Sequence, residues 1–361
     1  MKSRRAFVMA GGGTGGHIIP ALAVASELRR RGHEPFFFGT RSGMEARLVP
    51  AEGFPIEWIS IGGLNRVGLL QTLRTLWQLP ASILRVMRVI GEKKPAAVFS
   101  MGGYVAGPVA LAALLKGIPI VLMEPNAVPG LVNRRIARYV SRALVNFPET
   151  AQFFPPGRSE ITGVPVRPEF FRLPPGTAGE GDQFTILITG GSRGSRTLNR
   201  AVRESWPLFA GSGAPVRIIH QAGAEAHSKL AEDFEKTRLE GYVAPFIEDM
   251  PAAFAAADLI VCRSGASTVS ELAAAGKAAV LVPFPFAADN HQLRNAEALA
   301  RAGAARLVTD KEMTGQRLFD EYLALKTEPE ELRAMAAKIR EFARPQAAEK
   351  AADVLESLLV R

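Results

Sequence analysis

Short runs of wholly apolar residues recur along the chain. Each is followed by a turn and then by a stretch with apolar positions at helical spacing. In the first half the runs are AFVMA, PFFFG, IEWISI, AAVFSM, PIVLME and ALVNF. In the second they are FTILITG, VRIIHQ, GYVAPF, DLIVC, AAVLVPF and ARLVT. Strands that are apolar on both faces are covered on both faces, as in parallel sheets flanked by helices. The strand–helix alternation therefore predicts an α/β chain of doubly wound parallel sheets.

The alternation breaks once, in the Pro- and Gly-rich stretch FFPPGRSEITGVPVRPEFFRLPPGTAGEGDQ. A boundary near residue 165 divides the chain into 1–165 and 166–361, and a length of 361 residues suits two domains. The second half restarts as the first does, with a strand and a glycine loop, FTILITGGSRGSRTLN. Two helical stretches, PEELRAMAAKIREFA and QAAEKAADVLESLL, close the chain on either side of Pro345.

Charge changes the picture more than composition does. Residues 1–165 hold 20 Lys and Arg against 9 Glu, a net +11, and residues 166–361 hold 24 against 26, a net −2. A basic half beside a near-neutral half predicts an anionic partner for the first: nucleic acid, an anionic membrane surface or a phosphorylated substrate. An aromatic content of 7% and no recognised motif argue against nucleic acid. A single cysteine excludes a disulfide framework, and Cys262, at the end of DLIVC, reads as a small buried hydrophobe. The five histidines are scattered without metal-ligand spacing, so no metal is expected. The basic start MKSRRAFVMAGGG has too short an apolar run for a signal peptide. Residues 96–115 carry no charge over 20 residues, but GGYVAGP interrupts them, which predicts strand, loop and helix and not a membrane span.

The candidate chemistry sits at the predicted strand ends. Gly11, Gly13 and Gly16 in AGGGTGGHIIP have the spacing of a dinucleotide turn. NAD would need an acid at the end of the second strand, where FFFGTRSG has none; Arg41 could still meet the extra phosphate of NADP. His17 follows the glycines and reads either as a loop histidine held by backbone or as a general base. MEPNAVPG places Glu124 and Asn126 at another strand end, as caps and turn residues or as site residues. In DLIVCRSGASTVSELAAAG a Ser-Gly loop precedes a helix starting near Ser267 or Thr268, with Glu271 in its first turn. A helix N-terminus there can hold a pyrophosphate, and a carboxylate one turn in can accept from a ribose diol.

Taken together and in order, GGGTGGHIIPALAVA, GGYVAGP, EPNAVPGLVNR, GVPVR, GGSRGSRTLN, the stretch from FIEDM to LVPFP, and DNHQLRNA resemble the GT-B glycosyltransferases, most closely the MurG family. The resemblance implies two Rossmann-like domains facing an interdomain cleft, the last helix (about 346–361) packing back on the first. It implies inverting transfer of N-acetylglucosamine from UDP-GlcNAc to the 4-hydroxyl of lipid I, giving lipid II, without a cofactor. Carried over motif by motif, Thr14, Gly15 and Gly16 would face the cleft, and Asn126, Arg167 and Ser192 would contact the donor. Ile247 would offer its backbone to uracil. Ala266, Ser267, Thr268, Val269, Ser270 and Glu271 would line the phosphates and ribose, with Glu271 on the diol, and Gln292 would bind the sugar hydroxyls. His17 is the first choice of general base and Glu124 the second. His291 stands where the family has Gln, and Ser195 where it has Ala. The stretch from Gly63 to Pro95, with Leu69, Leu70, Leu73, Leu76, Trp77 and Ile83 among Arg66, Arg74, Arg85 and Arg88, would meet an anionic membrane surface peripherally. The cytoplasmic face of the inner membrane, and partners in cell-wall synthesis and division, follow from the same resemblance. The runners-up are a UDP-GlcNAc epimerase on the same fold and an NADP-dependent oxidoreductase.

Overall fold

The computed structural model describes residues 4–13, 15–62, 69–174 and 183–360, with backbone alone for 69–76 and 360. Residues 1–166 with 346–361 form one compact unit and residues 167–345 a second.

The first unit is built on β1 (Ala6–Gly11), β2 (Glu34–Gly39), β3 (Ile56–Trp58), β4 (Ala97–Gly102), β5 (Ile120–Glu124), β6 (Arg142–Val145) and β7 (Ser159–Ile161), in the order β3-β2-β1-β4-β5-β6-β7. The second is built on β8 (Phe184–Thr189), β9 (Val216–Gln221), β10 (Glu240–Ala244), β11 (Leu259–Cys262), β12 (Ala279–Leu281) and β13 (Arg306–Leu307), in the order β10-β9-β8-β11-β12-β13. The pairings are parallel in both sheets. The chain thus winds outward in both directions from β1 and from β8. Each sheet has a switch point, between β1 and β4 and between β8 and β11, where the loops beyond the strands' carboxyl ends diverge and leave room for a ligand. Both glycine loops follow the strands that border these points.

All twelve sequence-predicted strands are present, and β7 is an addition. It lies in the stretch read as a break because it is three residues long, lies at the sheet edge and has no apolar run. GGYVAGP also differs from expectation. β4 ends at Gly102 and the helix Gly103–Leu115 follows directly, so the helix begins inside the motif. Val105, Ala106, Val109 and Ala110 of that helix are fully buried, and this burial outweighs the poor helix propensity of Gly107 and Pro108. The helix Ala347–Ser357 belongs to the first unit. Ala351, Ala352 and Leu355 join the core around Phe7, Met9 and Leu28. Arg31 reaches Asp353 at 2.6 Å and His33 Nε2 meets Glu356 at 3.0 Å, which fixes the helix at its polar edge.

Candidate functional site

In the first unit the candidate residues gather beyond β1, β4 and β5. The helix Gly15–Arg30 starts straight after the glycine loop, so His17 stands in its first turn, half-buried. Gly15 and Gly16 open the same turn, and Thr14 lies outside the described residues. Gly102 and Gly103 have φ of +82° and +78°, which glycine adopts without strain. Their missing side chains matter too. A Cβ at Gly103 would meet Gly12 O at 2.8 Å and His17 Nδ1 at 3.4 Å, and one at Gly102 would meet Asn133 Oδ1 at 2.8 Å. The two glycines let His17 and Asn133 approach the start of one helix closely.

Glu124 is 1% exposed, and its carboxylate is fully engaged. It accepts from the Asn126 backbone N–H at 3.0 Å, Asn126 Nδ2 at 3.1 Å, the Gly130 N–H at 3.2 Å and Asn133 Nδ2 at 2.7 Å. Burial pushes this carboxyl above its usual range, and the four donors pull against it. The geometry is that of a loop anchor. Asn126 is held by the same carboxylate. Glu124→Ala should therefore act on stability. It strands several buried donors at a cost of about 3 kcal/mol, lowering the melting temperature by roughly 6–12 °C, which a thermal melt of the ligand-free protein would show.

In the second unit the site forms beyond β8, β9 and β11. The loop after β8 carries Ser192, exposed, between Gly191 and Gly194. Gly194 is indispensable, because a Cβ there would lie 1.9 Å from Ala222 O. Ser195 caps the helix Arg196–Ser212, accepting from Leu198 N–H at 3.3 Å, and also accepts from Arg263 Nη2 at 2.6 Å. Arg263 is buried and donates to Val282 O, Pro283 O and Asp310 Oδ1. Gln221, at the end of β9, donates to Gly191 O at 2.8 Å and accepts the Ile247 N–H at 2.8 Å. The amide N–H of Ile247 is therefore already taken.

The helix Ala266–Ala275 begins one to two residues earlier than expected, capped by Gly265 and by no side chain. Its first intrahelical bond runs from Val269 N–H to Gly265 O, so the N–H groups of Ala266, Ser267 and Thr268 point outward without helical partners. A pyrophosphate suits that position. Glu271 is the sixth residue, not a first-turn residue. It lies four and three residues beyond Ser267 and Thr268, so all three share one face. Val269 and Ser270 turn inward and are buried, so their side chains do not line this face. Glu271 sits 3.7 Å from Arg167, and burial raises its carboxyl to about 7 against the pull of that guanidinium. Gln292 is oriented by its own amide: its Oε1 accepts from Phe284 N–H at 2.9 Å, which leaves its Nε2 to donate. His291 donates from Nδ1 to Ala288 O at 2.7 Å, and burial keeps its pKa low, so it holds the loop as a neutral ring. The Cys262 thiol is buried and pushed up to about 12, which leaves it inert. Arg41, the candidate for an NADP phosphate, lies over the Trp58 ring, 5.1 Å from its centroid.

The Glycosyltransferase family 28 N-terminal domain model matches residues 7–145, and the family's C-terminal domain model matches residues 185–355. A relative from Solibacter usitatus (strain Ellin6076) is 62% identical over 98% of this chain and 96% of its own. It is named UDP-N-acetylglucosamine--N-acetylmuramyl-(pentapeptide) pyrophosphoryl-undecaprenol N-acetylglucosamine transferase. The crystal structure of Acinetobacter baumannii MurG matches with a TM-score of 0.82 and 35% identity, covering 98% of this chain and 99% of that one. The chain belongs to the MurG glycosyltransferases of family 28. A UDP-GlcNAc 2-epimerase from Neisseria meningitidis, crystallised with UDP-GlcNAc, shares the fold at a TM-score of 0.67 with 15% identity, covering 99% of this chain and 100% of its own. That likeness is one of GT-B architecture alone.

Asn133 beside the candidate residues of the first unit, and Gln221, Arg263 and Asp310 beside those of the second, were not marked by the sequence. Each stands at or just beyond a strand end, or reaches there from a distant helix or loop, and no local spacing marks it. For Gln221 and Arg263 the usable signal was position, since both are polar residues directly closing an apolar strand run.

Proposed function

We propose that this chain transfers N-acetylglucosamine from UDP-GlcNAc to the 4-hydroxyl of the muramyl-pentapeptide carried on pyrophosphoryl-undecaprenol, with inversion at the anomeric carbon. The observation that carries this reading is the uncapped N-terminus of the helix Ala266–Ala275 with Glu271 on the same face and Arg167 beside it. The helix end and the guanidinium accept the charge that builds on the leaving UDP, so its departure is stabilised electrostatically. Glu271 accepts from the ribose diol, the Ile247 carbonyl accepts from uracil, and Gln292 Nε2 donates to a sugar hydroxyl. Ser192 meets the diphosphate from the exposed glycine loop. His17 takes the proton from the acceptor hydroxyl as its oxygen bonds to the anomeric carbon and the bond to the phosphate oxygen breaks. Asn126, positioned by Glu124, also contacts the donor.

The membrane is the natural place for an acceptor with an undecaprenyl tail, and the inner membrane's cytoplasmic face is where we place the protein, beside proteins of cell-wall synthesis and division. Trp77 and Leu84, 86% and 67% exposed on the helix Leu69–Lys93, support this with Arg85 and Arg88 alongside. Ile83 instead packs partly into the core. Arg66, and the side chains of Leu69, Leu70, Leu73, Arg74 and Leu76, lie outside the described residues. Among the described residues no helix is long and apolar enough to cross a membrane.

Thermal stability with UDP-GlcNAc, UDP-GalNAc or NADPH tests the reading, because a ligand that binds only the folded state raises the melting temperature. UDP-GlcNAc should give the largest rise, and addition of the lipid-linked acceptor should then yield UDP and the disaccharide product. Stabilisation by NADPH instead, or release of an altered free sugar without acceptor, would overturn it.

A further inference from the structure

The glycine loop after β1 has the form of a phosphate cradle, yet a carboxylate of the chain itself already fills it. Glu45, on the short helix Glu45–Ala51, is completely buried. Its Oε2 accepts the Gly13 N–H at 2.9 Å, across 32 residues of sequence. Its Oε1 accepts the Thr40 N–H at 3.0 Å and the Thr40 hydroxyl at 2.9 Å. Because a carboxylate only accepts, the single Thr40 hydroxyl proton points to Glu45. The Tyr104 hydroxyl lies 3.1 Å from Thr40 Oγ1 and also bonds the Glu45 carboxylate. The Gly13 amide, the Thr40 amide and hydroxyl, and the Tyr104 hydroxyl thus converge on one buried carboxylate.

The surrounding glycines are shaped for this group. A Cβ at Gly12 would lie 3.0 Å from the Glu45 carboxyl, one at Gly39 2.7 Å from its Cγ, and one at Gly43 2.1 Å from its Oε2. Gly13 is held at φ +91°, with Tyr104 Cε1 2.6 Å from where a Cβ would be. The helix Gly15–Arg30 starts two residues later, and its positive end favours an anion at this place. The glycine spacing read as a nucleotide turn is accommodated around an internal carboxylate.

We propose that Glu45 is a positioning residue of the transferase: it occupies the anion seat at Gly13, so that amide binds no phosphate, and it fixes the turn from which His17 projects. This rests on His17 being the general base. Apart from Asn126, the donor contacts named above belong to the second unit, so the proposal separates the two substrates in the kinetics.

Glu45→Gln keeps size and one acceptor but replaces the other with a donor facing Gly13 N–H and Thr40. The full chain carrying it should fold, keep its UDP-GlcNAc-induced rise in melting temperature and keep its donor KM within twofold, while kcat falls at least tenfold. A merely structural role would lower stability and leave kcat per folded molecule unchanged. Thr40→Val, which removes only the bridging hydroxyl, should lower kcat three- to tenfold by the same route, and it decides the matter if Glu45→Gln does not fold. Wild-type kcat in the folded variants overturns the proposal. His17→Ala, assayed in parallel, separates the two failures. An inactive His17→Ala beside a fully active Glu45→Gln removes only the role of Glu45, whereas an active His17→Ala removes the base assignment on which it rests.

Discussion

His17→Ala is expected to lower kcat for sugar transfer by about 10²–10⁴-fold while leaving the donor's effect on melting temperature intact. His17 is in the first turn of the helix Gly15–Arg30 and its ring stands against Gly103, at the carboxyl ends of β1 and β4 where a doubly wound sheet binds ligands. Imidazole is the side chain best suited to accept a proton near neutral pH. The alternative base, Glu124, has four donors on its carboxylate and is buried, so moving a proton onto it would disturb a loop that spans Asn126 to Asn133. Steady-state rates at saturating donor, set beside melting curves with and without UDP-GlcNAc, check the prediction. A His17→Ala enzyme with near wild-type kcat would return the proton to another group.

Glu271 should give the largest effect on donor binding. On the proposed reading Glu271→Ala removes the acceptor of charge-assisted hydrogen bonds from the ribose diol, worth about 1.5–3 kcal/mol. UDP-GlcNAc affinity should therefore fall roughly 10- to 100-fold, and the donor-induced rise in melting temperature should disappear at donor concentrations that stabilise the wild type. The protonation of this group adds a second, opposite signature. Its carboxyl is raised from 4.5 to about 7 in the folded protein, by burial first, with Arg167 opposing. Between those values the folded state binds more protons than the unfolded state. The stabilisation is complete below about pH 4.5 and is lost as pH rises through about 7. With the side chain 24% exposed, the loss is on the order of 2 kcal/mol.

Glu271→Gln should then melt several degrees higher than the wild type at pH 8 without ligand, yet show no donor-induced rise. In the wild type, donor binding should tighten as pH rises through about 7, because the diol donates to the ionised form; in Glu271→Gln that pH dependence should vanish. Melting curves at pH 6 and pH 8 with and without UDP-GlcNAc separate these outcomes. A variant that loses stability and binding together would place Glu271 in the framework and not at the ribose.

The alternation of apolar runs with helical stretches determined the parallel, doubly wound fold, because a strand between two helical layers must be apolar on both faces and this is written locally. It also placed the break between halves and the loops at the strand ends. The exceptions were local signals overruled by the fold: burial starts a helix at Gly103 inside GGYVAGP, and pairing with β6 makes an edge strand of Ser159–Ile161 inside a Pro- and Gly-rich stretch. What the tertiary structure alone decided is which polar group serves which loop. Glu124 looked equally like a base or a cap until Asn133 and Gly130 were found on its carboxylate. The backbone of Ile247 was expected at uracil with no sign of which edge it offers, and Gln221 takes its N–H. Gly13 looked like a phosphate seat until Glu45 was found bonded to it. A loop's hydrogen bonds must be satisfied, but their partners arrive from elements tens of residues away, and spacing along one element carries no trace of them.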